Sequence, residues 1–310
     1  MSPARRDALA ALVLASVSVA ASAGGAPAAP RAAAPARSGR HRAVPDRAVP
    51  RPRPPVTPAP APTPTATALR ARRRALRRTL DRYADAHPQP FTVAVRELDT
   101  GFAFTYNAAL RPVTASVVKV EIVIAAMLRA QRRHGTLTET ERELAGRAVR
   151  HSDNVAATEL WHGIGGTSGL AAAGRALGLR HTAPGPGDYW GSTVTSAADQ
   201  IRVLSALTSA RGPLTGEHRR LLLGLMARVA PEQAWGISAA AGDGDEVALK
   251  NGWLPRKPDG GLWTVNSIGR LRRAGHDRLV AVLTTRHTSM AAGIAMAEHV
   301  AATVARNPAR

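Results

Sequence analysis

Residues 116–130 constrain the fold more than any other stretch. Val117, Val118, Val120, Ile122, Val123, Ile124, Met127 and Leu128 fall in nearly every direction around a helix. Such a helix has no face to offer water, so other elements have to wrap it. From Thr67 onward there are about 240 residues, enough for one domain with a substantial core.

The flanking segments supply the wrapping. Residues 67–86 place Leu69, Leu76, Leu80 and Tyr83 on one side of a helix and Arg on the other. Residues 91–98 alternate as a strand, Asp99-Thr100-Gly101 makes a turn, and 102–106 return as its hairpin partner. Beyond the apolar helix, Thr138 and Glu141 form a capping-box pattern. Further helices are expected around 155–162, 168–177, 196–210 and 215–229, with Gly178 suited to a helix end. Strands follow at 247–253, 261–271 and 279–285, then a last helix at 289–305. This order predicts an α+β fold: an antiparallel five-stranded sheet flanked by helices plus an inserted all-helical lobe. A cleft between sheet and lobe is the natural place for a site.

The first 66 residues are not core material. Residues 1–23 have the form of a signal peptide. Arg5 and Arg6 lead an apolar stretch too short to span a bilayer, and Ala21-Ser22-Ala23 follows. Residues 24–66 are a Pro-, Ala- and Arg-rich linker, and 67–306 form the domain. Residues 24–68 carry seven arginines against one aspartate. That charge suits an anionic cell-wall polymer as partner; the plainer alternative is a solvated tether. Export places the protein on the cell-wall side, secreted or extracytoplasmic. Export and an aromatic content of 4% weigh against nucleic acid, despite a formal charge of +20. The absence of cysteine removes a lipid-bearing thiol, disulfides, a thiol nucleophile and a cysteine metal site. The ten histidines are scattered with no metal-binding spacing, so neither metal nor cofactor is expected. A monomer is expected.

Arginine is the default cation here, and the only lysines are Lys119, Lys250 and Lys257. A guanidinium cannot release its proton at working pH, whereas an ammonium can. Ser116 and Lys119 are three apart at the start of the apolar helix and share a face. Free N–H groups at that helix end suit an oxyanion. Burial there would push Lys119 toward the neutral amine a general base needs. The plainer alternative is an N-cap serine beside a surface lysine. Glu121, in the same helix, reads as facing water. Ser152-Asp153-Asn154 falls in an inter-helix break, either as ordinary caps or with Ser152 relaying a proton and Asn154 holding a substrate carbonyl. Lys250-Asn251-Gly252 ends an apolar strand. It is either an Asn-Gly turn or a site where Lys250 attracts a carboxylate and Gly252 admits a substrate along the strand edge.

Taken together, the three motifs come in an order that resembles the penicillin-recognising serine hydrolases, most closely the class A β-lactamase-like branch. The resemblance covers essentially the whole domain and implies a β-lactamase/transpeptidase-like fold. It implies that Ser116 is acylated, Lys119 activates it and Ser152 shuttles the proton. Asn154 and Asn251 would bind substrate and Lys250 orient its carboxylate. The N–H groups of Ser116 and Trp253 would form the oxyanion hole. The substrate implied is a β-lactam or a peptidoglycan-like acyl-D-amino acid. Two departures stand out. Asn251 replaces the Thr or Ser usual between Lys and Gly. The loop at about 181–192 lacks the family's deacylating Glu and offers only Asp188, beside Tyr189 and Trp190. Slow deacylation is therefore expected. The competing readings are a D,D-peptidase-like enzyme and a catalytically idle wall-binding module using the same cleft and basic tether.

Overall fold

The computed structural model describes residues 65–133, 135–273 and 275–305. The chain divides at Ala59/Pro60 into two units, and the described residues all lie in the second. The expected signal peptide lies outside them, as does the linker up to residue 64. The last two linker residues belong instead to the start of the first helix, Thr65 as its cap and Ala66 as its first residue. Thr65 caps α1 (Ala66–Ala86), its hydroxyl accepting from the Ala68 N–H.

The strands β1 (Phe91–Glu97), β2 (Ala103–Tyr106), β3 (Glu246–Arg256), β4 (Leu262–Arg273) and β5 (His276–His287) form one sheet. Its spatial order is β2-β1-β5-β4-β3, every pairing antiparallel. Between β2 and β3 come α2 (Val118–Arg133), α3 (Glu139–Arg150), α4 (Asn154–Ile164), α5 (Gly166–Ala176), α6 (Ala197–Thr208) and α7 (Gly216–Met226). The last helix is α8 (Met290–Ala305). The fold is the expected α+β arrangement of five-stranded sheet and inserted helical lobe.

The sheet has a core on each face because side chains alternate along a strand. On one face Ala94, Ile268, Leu279, Ala281 and Leu283 join the interior of the helical lobe. On the other, Val93, Val95, Val280 and Val282 join Leu76 and Leu80 of α1 and Met296, Val300 and Val304 of α8. Central strands buried on both faces read as continuous apolar runs. The all-round apolar helix is α2, where every residue from Val118 to Leu128 is buried.

The arginine face of α1 is not wholly in water. Arg72 is buried, and its guanidinium donates to both Glu97 carboxylate oxygens at 2.9 and 2.7 Å. Arg278 and Thr100 donate to the same carboxylate. Burial alone would raise the Glu97 pKa, but these donors hold it at about 2. This ion cluster ties α1 to the sheet.

Candidate active site

The chain enters α2 through a strained turn. Residues Ala115–Val117 form one turn of 3-10 helix, and Ala115 has φ +48°. A non-glycine residue in this left-handed region costs on the order of 1 kcal/mol, so neighbours must hold it there. The Thr114 N–H donates to the Thr193 carbonyl at 2.7 Å. Asn266 of β4 donates to the Val113 and Thr114 carbonyls at 2.9 and 3.0 Å. Ser116 is half-buried and lines a cleft of about 280 Å³.

Gly252 lies directly against this turn. A Cβ on Gly252 would come within 2.7 Å of the Ser116 and Val117 nitrogens and 2.9 Å of the Thr114 carbonyl oxygen. The glycine is needed so that this face of β3 can pack against the Ser116 backbone.

Around Ser152 the polar groups converge. Lys119 is fully buried, and its amine donates to the Ser152 carbonyl at 2.5 Å and to Asn154 Oδ1 at 2.8 Å. The Ser152 hydroxyl lies 3.2 Å from the same amine and 3.0 Å from the Lys250 amine. Burial pushes the Lys119 pKa down to about 7, against the opposing charge of Asp153. Burial also pushes Lys250 well below the ordinary lysine range, and the neighbouring Lys119 adds to this. Ser152 is itself in the left-handed region at φ +56°. Its neighbour Asp153 anchors the turn, accepting from the Val155 and Ala156 N–H groups and from Arg147. The capping in this motif thus falls to Asp153 rather than to Ser152 or Asn154.

The third motif lies inside β3, in keeping with the strand expected at 247–253 and not with the alternative Asn-Gly turn, so Lys250 and Asn251 point to opposite faces. Lys250 is not a free charge in the cleft; its amine is bonded to Ser152 Oγ and the Asn251 carbonyl. Asn251 does not aim its amide hydrogens at a substrate. It donates to the Gln233 and Trp235 carbonyls at 2.8 and 2.9 Å, under the sheet. Trp253 borders the cleft, its ring 5.9 Å from that of Trp235.

The opposite wall comes from the loop after α5. Trp190 bonds Thr158 through its indole N–H at 3.1 Å and places its ring 5.0 Å from the Lys119 amine. Tyr189 stands beside it, three-quarters exposed. Asp188 also lines the cleft and is bonded to His162 at 2.8 Å, both side chains largely exposed. Glu121 departs most from expectation. It is buried, and its Oε1 accepts from Gln200 at 2.8 Å. Among the described residues Glu121 Oε2 and Gln200 Oε1 have no partner. Burial raises the Glu121 pKa to about 7. Asn266, Trp190 and Glu121 went unassigned in the sequence; the adjacent aromatics Tyr189-Trp190, in a chain poor in aromatics, were the one available signal.

A serine at a helix entrance, with a buried lysine one turn on and a second serine between two amines, sits here between a five-stranded sheet and a helical lobe. Solved structures of class A β-lactamases and PBP-A share this fold. An ancestral class A β-lactamase matches at TM-score 0.64 and 21% identity, over 74% of this chain and 99% of that one. PBP-A matches at 0.66 and 20%, over 75% and 95%. A class A β-lactamase from Bacteroides cellulosilyticus matches at 0.65 and 15%, over 76% and 99%. A sequence profile described as "Beta-lactamase enzyme family" matches residues 139–307, and the chain belongs to that family. Proteins named "Putative lipoprotein LppW" in Mycobacterium tuberculosis and Mycobacterium bovis are 30% identical over 168 residues, 53% of this chain. The chain spans about half the length of these curated relatives, 54%.

Proposed function

We propose that this chain is an exported acyl-serine hydrolase in which Ser116 is acylated by a β-lactam or peptidoglycan-like acyl donor and released slowly. The observation that carries this reading is the Lys119 amine. It is buried one turn from Ser116, with a pKa near 7, in contact with the Ser152 hydroxyl. A neutral amine at that point can take the Ser116 proton as the oxygen attacks the acyl carbon. Ser152, held by both amines, can pass a proton to the leaving group. The Ser116 and Trp253 N–H groups are the oxyanion donors of this reading, and the close approach of Gly252 to the Ser116 backbone supports it. A variant of PBP-A has been solved as an acyl-enzyme with penicillin G, the chemistry proposed here.

Slow release follows from the loop. Its acid, Asp188, is exposed and bonded to His162, a poor setting for a base that must activate water. Export rests on the leader-like residues 1–23 and on the lipoprotein name of the relatives. Incubating the protein with penicillin and, separately, with a p-nitrophenyl ester, then taking intact mass, tests the reading. An adduct that maps to Ser116 and is absent from Ser116→Ala supports it. No adduct and no hydrolysis with either reagent would overturn it.

A further inference from the structure

The arginines of α1 divide by position. Arg72 turns inward to Glu97, Arg73 donates to the Ala103 carbonyl at 2.9 Å, and Arg77 stands over the Phe104 ring. Arg70, Arg74, Arg78 and Arg82 follow one another at four-residue steps, all exposed, on the ridge opposite Leu76 and Leu80. They make a straight row about 18 Å long. Among the described residues the one ion pair made by an α1 arginine is that of Arg72 with Glu97. Within the row, Arg82 donates to the Thr79 hydroxyl at 3.3 Å.

This row works against the helix that carries it. Like charges four residues apart repel, and the row sets Arg70 against Arg74, Arg74 against Arg78 and Arg78 against Arg82. A helix dipole favours acids in the first turn and bases in the last, yet α1 has no acid in its first turn and no base in its last. Its two acids, Asp81 and Asp85, lie toward the C-terminal end, and Arg70 lies near the N-terminal end. An anion brought from outside offsets both effects.

The form of the row says which anion. A ridge is convex and offers no groove in which a polymer strand could lie, so it meets a plane of charge better than a chain. Guanidinium groups match phosphate oxygens two at a time. Residues 24–68, which lead into α1, add seven arginines against one aspartate. Through Leu76 and Leu80, α1 packs on the sheet face opposite the helical lobe, and the Ser116 cleft lies between sheet and lobe.

We propose that the ridge of Arg70, Arg74, Arg78 and Arg82 docks on the phosphate headgroups of an anionic phospholipid bilayer and leaves the Ser116 cleft facing away from it. The large hydrophobic side chains exposed among the described residues are Leu98, Val155 and Tyr189, none of them on α1. Docking is therefore electrostatic, without insertion, and sensitive to salt.

The test is sedimentation of the full chain with vesicles of phosphatidylglycerol and phosphatidylcholine in equal parts. Binding should be strong at about 50 mM salt, disappear by about 0.5 M, and be absent with phosphatidylcholine alone. One arginine near such a surface strengthens binding roughly fivefold, so Arg70→Gln, Arg74→Gln, Arg78→Gln and Arg82→Gln together should weaken it by about 10²-fold or more. Lys at the same four positions keeps the charge and should hold the affinity within about threefold. The Gln variant should resist urea at least as well as the wild type, because repulsion within the row is gone. A wild type that stays in solution with the anionic vesicles at low salt would overturn the proposal. So would a Gln variant that binds as well as the wild type, which would assign the binding to residues 24–68. Tighter binding to soluble polyphosphate than to the vesicles, at equal phosphate, would overturn it in favour of a polymer.

Discussion

Lys119 and Lys250 share one hydroxyl. Their amines lie 3.2 and 3.0 Å from Ser152 Oγ in a space with little water, and each disfavours charge on the other. Such a pair keeps at least one amine neutral near pH 7, which a general base requires and an exposed lysine would not provide. Arginine cannot play this part. Lys119→Arg is expected to lower the acylation rate by about 10²- to 10⁴-fold, the usual contribution of a general base. Single-turnover mass spectrometry measures that rate, with circular dichroism to verify the fold. Gly252→Ala acts on the same serine through the backbone. Its Cβ would press the Ser116 and Val117 nitrogens at 2.7 Å, where only main chain could yield. The expected outcome is a stability loss of about 1–3 kcal/mol in urea unfolding, together with slower acylation.

At the scale of elements, the sequence pattern placed the helices and strands well, and the reasons are physical. The capping box of Thr138 and Glu141 is local chemistry and starts α3 as expected. The alternation in residues 91–98 and the run at 279–285 gave β1 and β5. Other features depend on contacts between distant residues, which no window of sequence contains. Lys250-Asn251-Gly252 has the composition of a turn, yet β4 pairs with it throughout and the turn comes only after Arg256. Period-two alternation shows that Lys250 and Asn251 face opposite ways, but not which face meets the cleft. Hence Ser116, Lys119, Ser152 and Lys250 could be singled out, the two lysines through the rarity of lysine, while the partners of Lys250 and Asn251 could not. Asn251 joins β3 to the two segments that carry Gln233 and Trp235. Asn251→Ala leaves two buried carbonyls short of donors, so an unfolding loss of about 1–3 kcal/mol is expected.

For the whole molecule, Glu121 sets a pH dependence. Among the described residues its Oε2 and the Gln200 Oε1 both lack a hydrogen-bond partner. The native pKa of about 7 stands above the ordinary carboxylate value of 4.5. The native state thus holds a proton that the unfolded chain releases between these values. The contribution is fully present below pH 4.5 and is lost as pH rises through about 7. Over that window the loss is about 3 kcal/mol. The lowered lysines act in the opposite sense at higher pH, so the comparison with Glu121→Gln isolates this group. The stability advantage of the variant should grow from pH 4.5 to about 7 and then level off. Urea unfolding across pH reads it directly, and an advantage that does not change with pH would contradict the buried, protonated Glu121.

The central claim is that Ser116 is a nucleophile activated by the neutral amine of Lys119. The most direct measurement is the single-turnover rate of Ser116 acylation by a p-nitrophenyl ester as a function of pH, read by intact mass. The rate should rise with pH through an apparent pKa near 7, as Lys119 loses its proton, and Glu121→Gln should keep the same profile. A rate independent of pH through that region, or an adduct on any residue other than Ser116, would contradict the account.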